Sequence, residues 1–403
     1  MIRPDGDDRT GAVMAATVPH TKDSGSALQE LLTLPPGMEN PYIREWKERG
    51  GKIIGYTCSY VPEETLCAVG DPPRILPVRL GAQGCATTED ADIFMHKFLC
   101  SYCRCLMQLA LTGAYDYLDG LVLTSGCEHM RRTFELWRDQ VRVPFLAMLA
   151  VPHCRGEENH FRWYLEEVSR LTDRIEGAYG WPVSGDSLQS AVRTHNRYRE
   201  LVARLYALRA ADPPRLTGTE AMRIAQAGFR MPKEAFNAKL SAALEELALR
   251  PGLTGARARV LVSGSYLDDP SFVEMIESTG AVVVTDALCA GRRFIEGKVD
   301  ETAGPLDAVA RRTFLRDPSC PRMVDGYAER VAFTKRIAAE AGVHGAIFTR
   351  IPFCDSHAVE NQMEGRDLES LGIPTLHLER ECFGGDRGRL KTRVQAFLEK
   401  IGR

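Results

Sequence analysis

The sequence predicts an α/β protein made of two doubly wound parallel-sheet domains, Rossmann- or flavodoxin-like, with a helical segment between them. Three observations predict it. Short apolar runs alternate with helical patterns toward both ends of the chain, as parallel βαβ units require. Between about Glu157 and Arg250 the pattern changes to successive amphipathic helices, punctuated by Gly180, Pro213-Pro214 and Pro251-Gly252. Four apolar runs are each followed by a cysteine, at the carboxyl-end positions where open α/β sheets gather their ligands. The expected organisation is a mobile extension over 1–40, an α/β domain over 41–155, a helical segment over 156–255 and a second α/β domain over 256–403.

The first residues, MIRPDGDDRTGAVMAATVPHTKDSGS, lack a long apolar core behind basic residues, so a secretory signal is not expected. Ile53 to Thr57 reads as a strand ending in Cys58, with Pro62 in the first turn of a helix. A second strand lies near Ile75. Met95 to Thr112 has helical spacing, which puts Cys100, Cys103 and Met107 on one face and Cys105 elsewhere; Gly113 stops it. Leu118 to Thr124 reads as a buried strand, with Ser125-Gly126-Cys127 as the turn beyond it and a further apolar run at Val143 to Val151.

In the helical segment the arginines and glutamates read as a solvated face with supporting charge pairs. The second α/β unit opens at Arg259 to Ser263. Its turn Ser263-Gly264-Ser265 either offers backbone N–H groups to a phosphate-bearing anion or is a plain strand-to-helix turn. Val282 to Thr285 is followed by Cys289, and Asp317-Pro318-Ser319-Cys320-Pro321 precedes a helix reaching about Ala341. Gly345 to Ile351 ends in Pro352-Phe353-Cys354-Asp355, with a helix from about His357. A last strand and a closing helix finish the chain.

Composition narrows the function classes. The chain is 44% hydrophobic and 26% charged, with no apolar stretch of bilayer-spanning length and a net charge of -3, so neither a membrane span nor a general nucleic-acid surface is expected. Twelve cysteines in a chain that reads as cytoplasmic are not a disulfide framework, which leaves metal binding or thiol catalysis. The single CxxC, Cys100 to Cys103, has no second pair at zinc-finger spacing, and a thioredoxin-type role would leave the other cysteines unexplained. There is no HExxH, no P-loop and no GxGxxG; GGDRGRLKT fails on spacing. Any ATP chemistry is therefore expected of another protein.

Six segments, in order, resemble the benzoyl-CoA reductase and 2-hydroxyacyl-CoA dehydratase family: GKIIGYTCSYVPEETLCAVGDPPRILPVRLGA, FLCSYCRCLMQLALTGAYDYLDGLVLTSGCEHMRR, RVLVSGSYLDDP, VVVTDALCAGRRF, FCDSHAVENQMEGRDLESLGIPTLHLE and LKTRVQAFLEK. The resemblance implies an oxygen-sensitive 4Fe-4S cluster held by Cys100, Cys127 and Cys354, with one iron open to a thioester carbonyl, as in other sites that keep a free position. It also implies a separate activator iron-sulfur ATPase as electron source, an acyl-CoA substrate and a related second subunit. Cys58, Cys289 and Cys320 depart from many members. They resemble instead the branch with a double-cubane 8Fe-9S cluster, whose homodimers reduce small molecules; such a cluster needs about six thiolates. Cys103 and Cys105 remain competitors. Alternatively Cys58 and Cys289 simply line the pocket. A third alternative is a non-catalytic iron-sulfur partner subunit.

Overall fold

The computed structural model describes residues 25–402. Residues 1–24 of the expected extension lie outside the described residues. The rest of that extension is folded rather than loose. Ser26 accepts a hydrogen bond from Gln29 N and starts a helix, Ala27–Thr33, whose Leu28 and Leu31 are buried against helix Lys233–Leu249. Two leucines on one face give this segment the apolar area to dock.

Eight strands form two parallel sheets. The first holds β1 (Lys52–Tyr56), β2 (Ile75–Arg79), β3 (Gly120–Thr124) and β4 (Phe145–Leu149), in the order β2-β1-β3-β4. The second holds β5 (Ala258–Gly264), β6 (Ala281–Asp286), β7 (Gly345–Arg350) and β8 (Thr375–Glu379), in the order β6-β5-β7-β8. The strand order is the same in both halves, and in each it reverses next to the first strand, between β1 and β3 and between β5 and β7. That is where doubly wound sheets open a crevice at their carboxyl ends.

Both faces of the first sheet are covered. Ile53, Leu76, Leu121 and Leu123 join one core cluster with Leu106 and Met107, whereas their neighbours Ile54, Ile75 and Val122 join another with Tyr164 and Val168. Alternate residues point to opposite faces, so a strand covered on both sides must be apolar throughout.

Four helices, Glu158–Tyr179, Gly185–Ala210, Gly218–Ala227 and Lys233–Leu249, separate the two sheets along the chain. Here the solvated-face reading fails for part of helix Gly185–Ala210. Arg199, Arg209, His195 and Asn196 are buried. Arg199 pairs with Glu64, and Arg209 reaches Asp286 at the end of β6 at 2.6 Å and the Val283 carbonyl at 2.7 Å. The helix lies between elements of both halves, so it has no free outer face at these positions.

One crossing matters for the site. After β6 the chain returns to the first half, where helix Pro305–Leu315 packs on helices Glu158–Tyr179 and Gly185–Ala210, and Ala310, Phe314 and Met323 enter the core that contains Ile54 and Tyr56. Burial of these three apolar residues carries the Cys320 loop across to the carboxyl end of β1.

Candidate functional site

The three cysteines singled out by the resemblance occupy the same structural position three times. Cys100, Cys127 and Cys354 are the N-caps of helices Ser101–Leu111, Glu128–Gln140 and Asp355–Glu369. In each case the backbone N–H three residues on, that of Cys103, Met130 or His357, favours the thiolate. A helix start suits an anionic sulfur because unsatisfied N–H groups and the helix dipole both point at it. Charge on Cys100 or Cys354 opposes ionisation of Cys127, so the three thiols lie near one another.

The expected helix from Met95 therefore begins later, at Ser101. Met95 N closes the preceding turn on Ala91 O, and Leu99 N bonds His96 O, which leaves Cys100 extended at φ -60 and ψ 147. Its N–H donates to His129 Nδ1 at 3.2 Å. The Cys103 thiol, and then His129 against the opposing effect of burial, hold the Cys100 thiol well below its ordinary value. At the other end Gly113 adopts φ +81 and terminates the helix as expected.

Cys354 is supported from β5. Gly264 has φ +125, and a Cβ there would lie 1.9 Å from Thr349 O. With no side chain, the turn closes onto β7: Ser265 N donates to Thr349 O at 2.9 Å, Ile351 N donates to Ser265 Oγ at 3.1 Å, and the Ser265 hydroxyl favours the Cys354 thiolate. The Ser265 N–H is committed, so Ser263-Gly264-Ser265 is a strand-to-helix turn and not an anion cradle. The following helix starts at Asp355, two residues earlier than expected, and Pro62 is an N-cap, with Glu63 the first helical residue.

Cys58, Cys289 and Cys320 form a second group. Charge on Cys58 or Cys289 opposes ionisation of Cys320, whose thiol burial pushes up and Arg293 pulls down. Four buried arginines surround this group. Arg79 at the end of β2 approaches Cys289, with Nη2 3.4 Å from Sγ and Nη1 3.2 Å from the carbonyl. Arg316 donates to Ser59 O and Oγ at 3.2 and 2.7 Å and feels the charge of Cys58. Arg293 reaches Ser319 O at 3.4 Å.

Arg322 donates to the carbonyls of Ser125, Gly126, Val151 and Pro152 at 2.8 to 3.2 Å, tying the Cys320 loop to the turn before Cys127. Among the described residues none of these four guanidinium groups pairs with a carboxylate, and Nε of Arg79, Arg293 and Arg316 has no partner. Arg330 differs, holding Glu360 at 2.5 Å while donating to Ser319 Oγ, Cys320 O and Met323 O.

Reading the sequence misses His129 and all five arginines, and it singles out Ser265 only for the turn it belongs to and not for its hydroxyl. A signal exists for some of them: His129, Arg293 and Arg322 each lie within four residues of a singled-out cysteine, but arginine spacing carries no periodicity that marks burial. Cys103 lies against Cys100, whereas Cys105 points away toward Cys85, as the helical spacing predicts. Among the described residues no three His, Cys, Asp or Glu side chains converge closely enough to chelate a single metal ion, and no helix is long and apolar enough to cross a membrane.

Two flavodoxin-like halves with cysteines beyond the carboxyl ends of their strands define an α/β protein whose candidate site is where cysteines of both halves come near one another. The chain belongs to the family described as 2-hydroxyglutaryl-CoA dehydratase, D-component, whose model matches residues 58–401. It is 23% identical over 364 residues to one of the benzoyl-CoA reductase subunits of Thauera aromatica, covering 89% of this chain and 93% of that one. It is 24% identical over 369 residues to the (R)-phenyllactyl-CoA dehydratase beta subunit of Clostridium sporogenes, covering 90% and 96%. The beta subunit of (R)-2-hydroxyglutaryl-CoA dehydratase of Acidaminococcus fermentans is 23% identical over 390 residues, covering 93% and 99%.

Proposed function

We propose that this chain is the iron-sulfur subunit of an acyl-CoA dehydratase or reductase, with Cys100, Cys127 and Cys354 holding a 4Fe-4S cluster between its two halves. The observation that carries the proposal is the placement of three neighbouring thiols at three helix N-caps. Thiolates at helix starts are the donor set an iron-sulfur cluster takes. A cluster is larger than one ion, so its thiolates need not meet at a point. When bound, it would supply low-potential electrons and an iron open to a thioester carbonyl.

The protein's own contribution is to orient and to shield. His129 accepts the Cys100 N–H, Ser265 favours the Cys354 thiolate, and Arg322 holds the Cys127 turn against β4. The electrons come, in this reading, from a separate activator iron-sulfur ATPase, and the chain works with a related second subunit, in the cytoplasm. The relatives named above are themselves subunits.

A second reading is favoured by one specific observation. Buried guanidinium groups without carboxylate partners are costly, and Arg79, Arg293 and Arg316 sit around Cys58, Cys289 and Cys320. An anionic thiolate-ligated group would balance them. All six cysteines would then hold a double-cubane 8Fe-9S cluster, in a homodimer reducing small molecules.

The test is anaerobic co-purification with the related subunit, followed by assay of acyl-CoA dehydration or reduction with the activator, ATP and a reductant. Turnover that needs all of these components supports the first reading. Iron and sulfide bound with no turnover of any acyl-CoA, but reduction of small molecules, supports the second. Protein that binds no iron under anaerobic reconstitution refutes both.

A further inference from the structure

GGDRGRLKT fails as a P-loop on spacing, yet the fold puts it where phosphate loops stand, between the carboxyl end of β8 and the start of helix Arg387–Ile401. Gly385 has φ +151, and a Cβ at Gly384 or Gly385 would meet nothing within 4 Å, so the loop backbone is open. Asp386, at the N-cap, makes no capping hydrogen bond and pairs instead with Arg389 at 2.6 Å. The first N–H groups of a 15-residue helix therefore have no side-chain cap. This loop walls a cleft of about 460 Å³, opposite Ala82 to Cys85 on the loop after β2. Cys382 N donates to Ser101 Oγ at 2.9 Å, so the cleft adjoins the start of the helix that Cys100 caps.

A second observation, independent of the helix start, points to a ligand. Arg380 lines the cleft, is 5% exposed, and its Nε has no partner. Its terminal nitrogens go to the carbonyls of Tyr266 and Glu381, and among the described residues it forms no ion pair. The carboxylate that feels its charge, Asp268, stands beyond ion-pair distance. Other charges of the cleft cancel: Asp269 lies 3.5 Å from Arg387, and Asp386 holds Arg389. Glu381 is the exception, with Oε1 3.9 Å from Arg104 and Oε2 buried without a partner. A donor and an acceptor, both buried and both unsatisfied on one cleft, are costly until a ligand completes them.

We propose that this cleft binds the nucleotidyl part of a ligand. Its phosphate lies against Arg380 and the first N–H groups of helix Arg387–Ile401, a pairing of guanidinium and helix start that suits a phosphate. A ribose hydroxyl or an amino N–H donates to Glu381, and Phe383 and Leu390 give the base an apolar wall. The Glu381 carboxylate repels an inorganic phosphate, so the site favours a ligand that brings a donor beside its anion. Two sources share this chemistry: the nucleotide arm of an acyl-CoA, which rests on the function proposed above, and a free adenine nucleotide.

The test is isothermal titration calorimetry on the full chain, purified anaerobically, with reduced coenzyme A, ADP and inorganic phosphate in turn. Heat of binding registers whether or not the cysteines hold iron, so failure here and failure of the cluster reading are told apart. Saturable binding of coenzyme A, ADP or both is expected, at least about tenfold tighter than phosphate and weakening as salt is raised. Arg380→Met should weaken it about tenfold or more. Gly384→Trp crowds the cleft from an exposed position where a new Cβ meets nothing within 4 Å, and should do the same. Coenzyme A bound at least about tenfold tighter than ADP assigns the site to the acyl-CoA arm; equal affinities assign it to the free nucleotide. Binding of neither, phosphate binding as tightly as both, or parent-like binding by Gly384→Trp would overturn the proposal. If Arg380→Met fails to fold, Gly384→Trp decides.

Discussion

The guanidinium of Arg79, from the end of β2 in the first half, lies 3.4 Å through Nη2 from the sulfur of Cys289, from the loop after β6 in the second. Three aromatic rings, of Phe229, Tyr266 and Phe294, surround the same guanidinium, and no carboxylate among the described residues balances it. Burial alone would lower its affinity for a proton, yet the groups around it, Cys289 first among them, outweigh burial and keep the guanidinium charged. A fixed cation from one half thus lies in hydrogen-bonding contact with a sulfur from the other.

Arg79→Met tests this directly. Replacing an unpaired buried charge by an apolar side chain of similar length should leave the metal-free chain no less stable in urea. Iron retention of the reconstituted protein, measured against a competing chelator, should fall roughly 10–100-fold, the usual cost of losing a partner behind a metal ligand. Unchanged retention would detach Arg79 from the site.

The two cysteine groups predict different iron counts. Serine at Cys100, Cys127 or Cys354 should each remove most of the bound iron and sulfide, with the far-UV circular dichroism preserved. Serine at Cys58, Cys289 or Cys320 should leave a content of about four irons per chain unchanged if they are lining, and should lower a content of about eight if they are ligands. Full content in all of the first three variants would remove the proposed site.

Glu364 predicts a pH dependence of stability. It is buried with Thr334 Oγ1 donating to it at 2.8 Å, and burial, reinforced by the charge of Glu360 and opposed by Arg293 and Arg330, raises its carboxyl from 4.5 to about 7. His357 lies in the same enclosure. Between these two values the folded chain keeps a proton that the unfolded chain releases, so stability falls as pH rises from 4.5 to 7 and is level above that. The loss is about 3 kcal/mol. His357 acts in the opposite direction, since burial and the charge of Arg293 push its imidazole from 6.5 down to about 3. The test is therefore the difference in urea midpoint between the parent chain and Glu364→Gln, which should shrink from pH 7 toward pH 4.5 or reverse sign across that range.

Glu63 predicts the opposite trend. Burial opposes its ionisation, but Lys233 Nζ at 3.0 Å, His195 and the Tyr56 hydroxyl outweigh it and hold the carboxyl at about 2. This stability is present above 4.5 and is lost as pH falls toward 2. Lys233→Leu leaves the carboxylate buried without its main partner and should cost about 3–5 kcal/mol at neutral pH. Thermal or urea unfolding measures it, and a loss below about 1 kcal/mol would show that Lys233 is not what keeps Glu63 ionised.

Much of this site is legible in the chain because parallel strands covered on both faces are apolar from end to end, so their carboxyl ends stand out. Cys58, Cys127 and Cys354 are found in this way, each within four residues of a strand end. Helical periodicity likewise separates Cys103 from Cys105. It misplaces the start of the helix at Cys100, because His129, distant in the chain, accepts the N–H that would otherwise continue the turn. The arginines are illegible for a related reason: a charged side chain reads as exposed unless its buried partner is known, and here the partners are carbonyls and thiols of other loops.

The sequence by itself determined the α/β class, the helical stretch between the two sheets, the family and five of the six cysteines at loop positions, with Cys100 read inside a helix, since all of these depend on local period and motif. Only the tertiary structure decided which thiols face each other, because that depends on two crossings no local pattern encodes. Helix Pro305–Leu315 returns to the first half to bury Phe314 and brings Cys320 beside Cys58. Gly264 lets β5 close on β7 so that Ser265 supports Cys354. Burial of apolar area drives the first and the absence of a Cβ permits the second; both are properties of the packed chain.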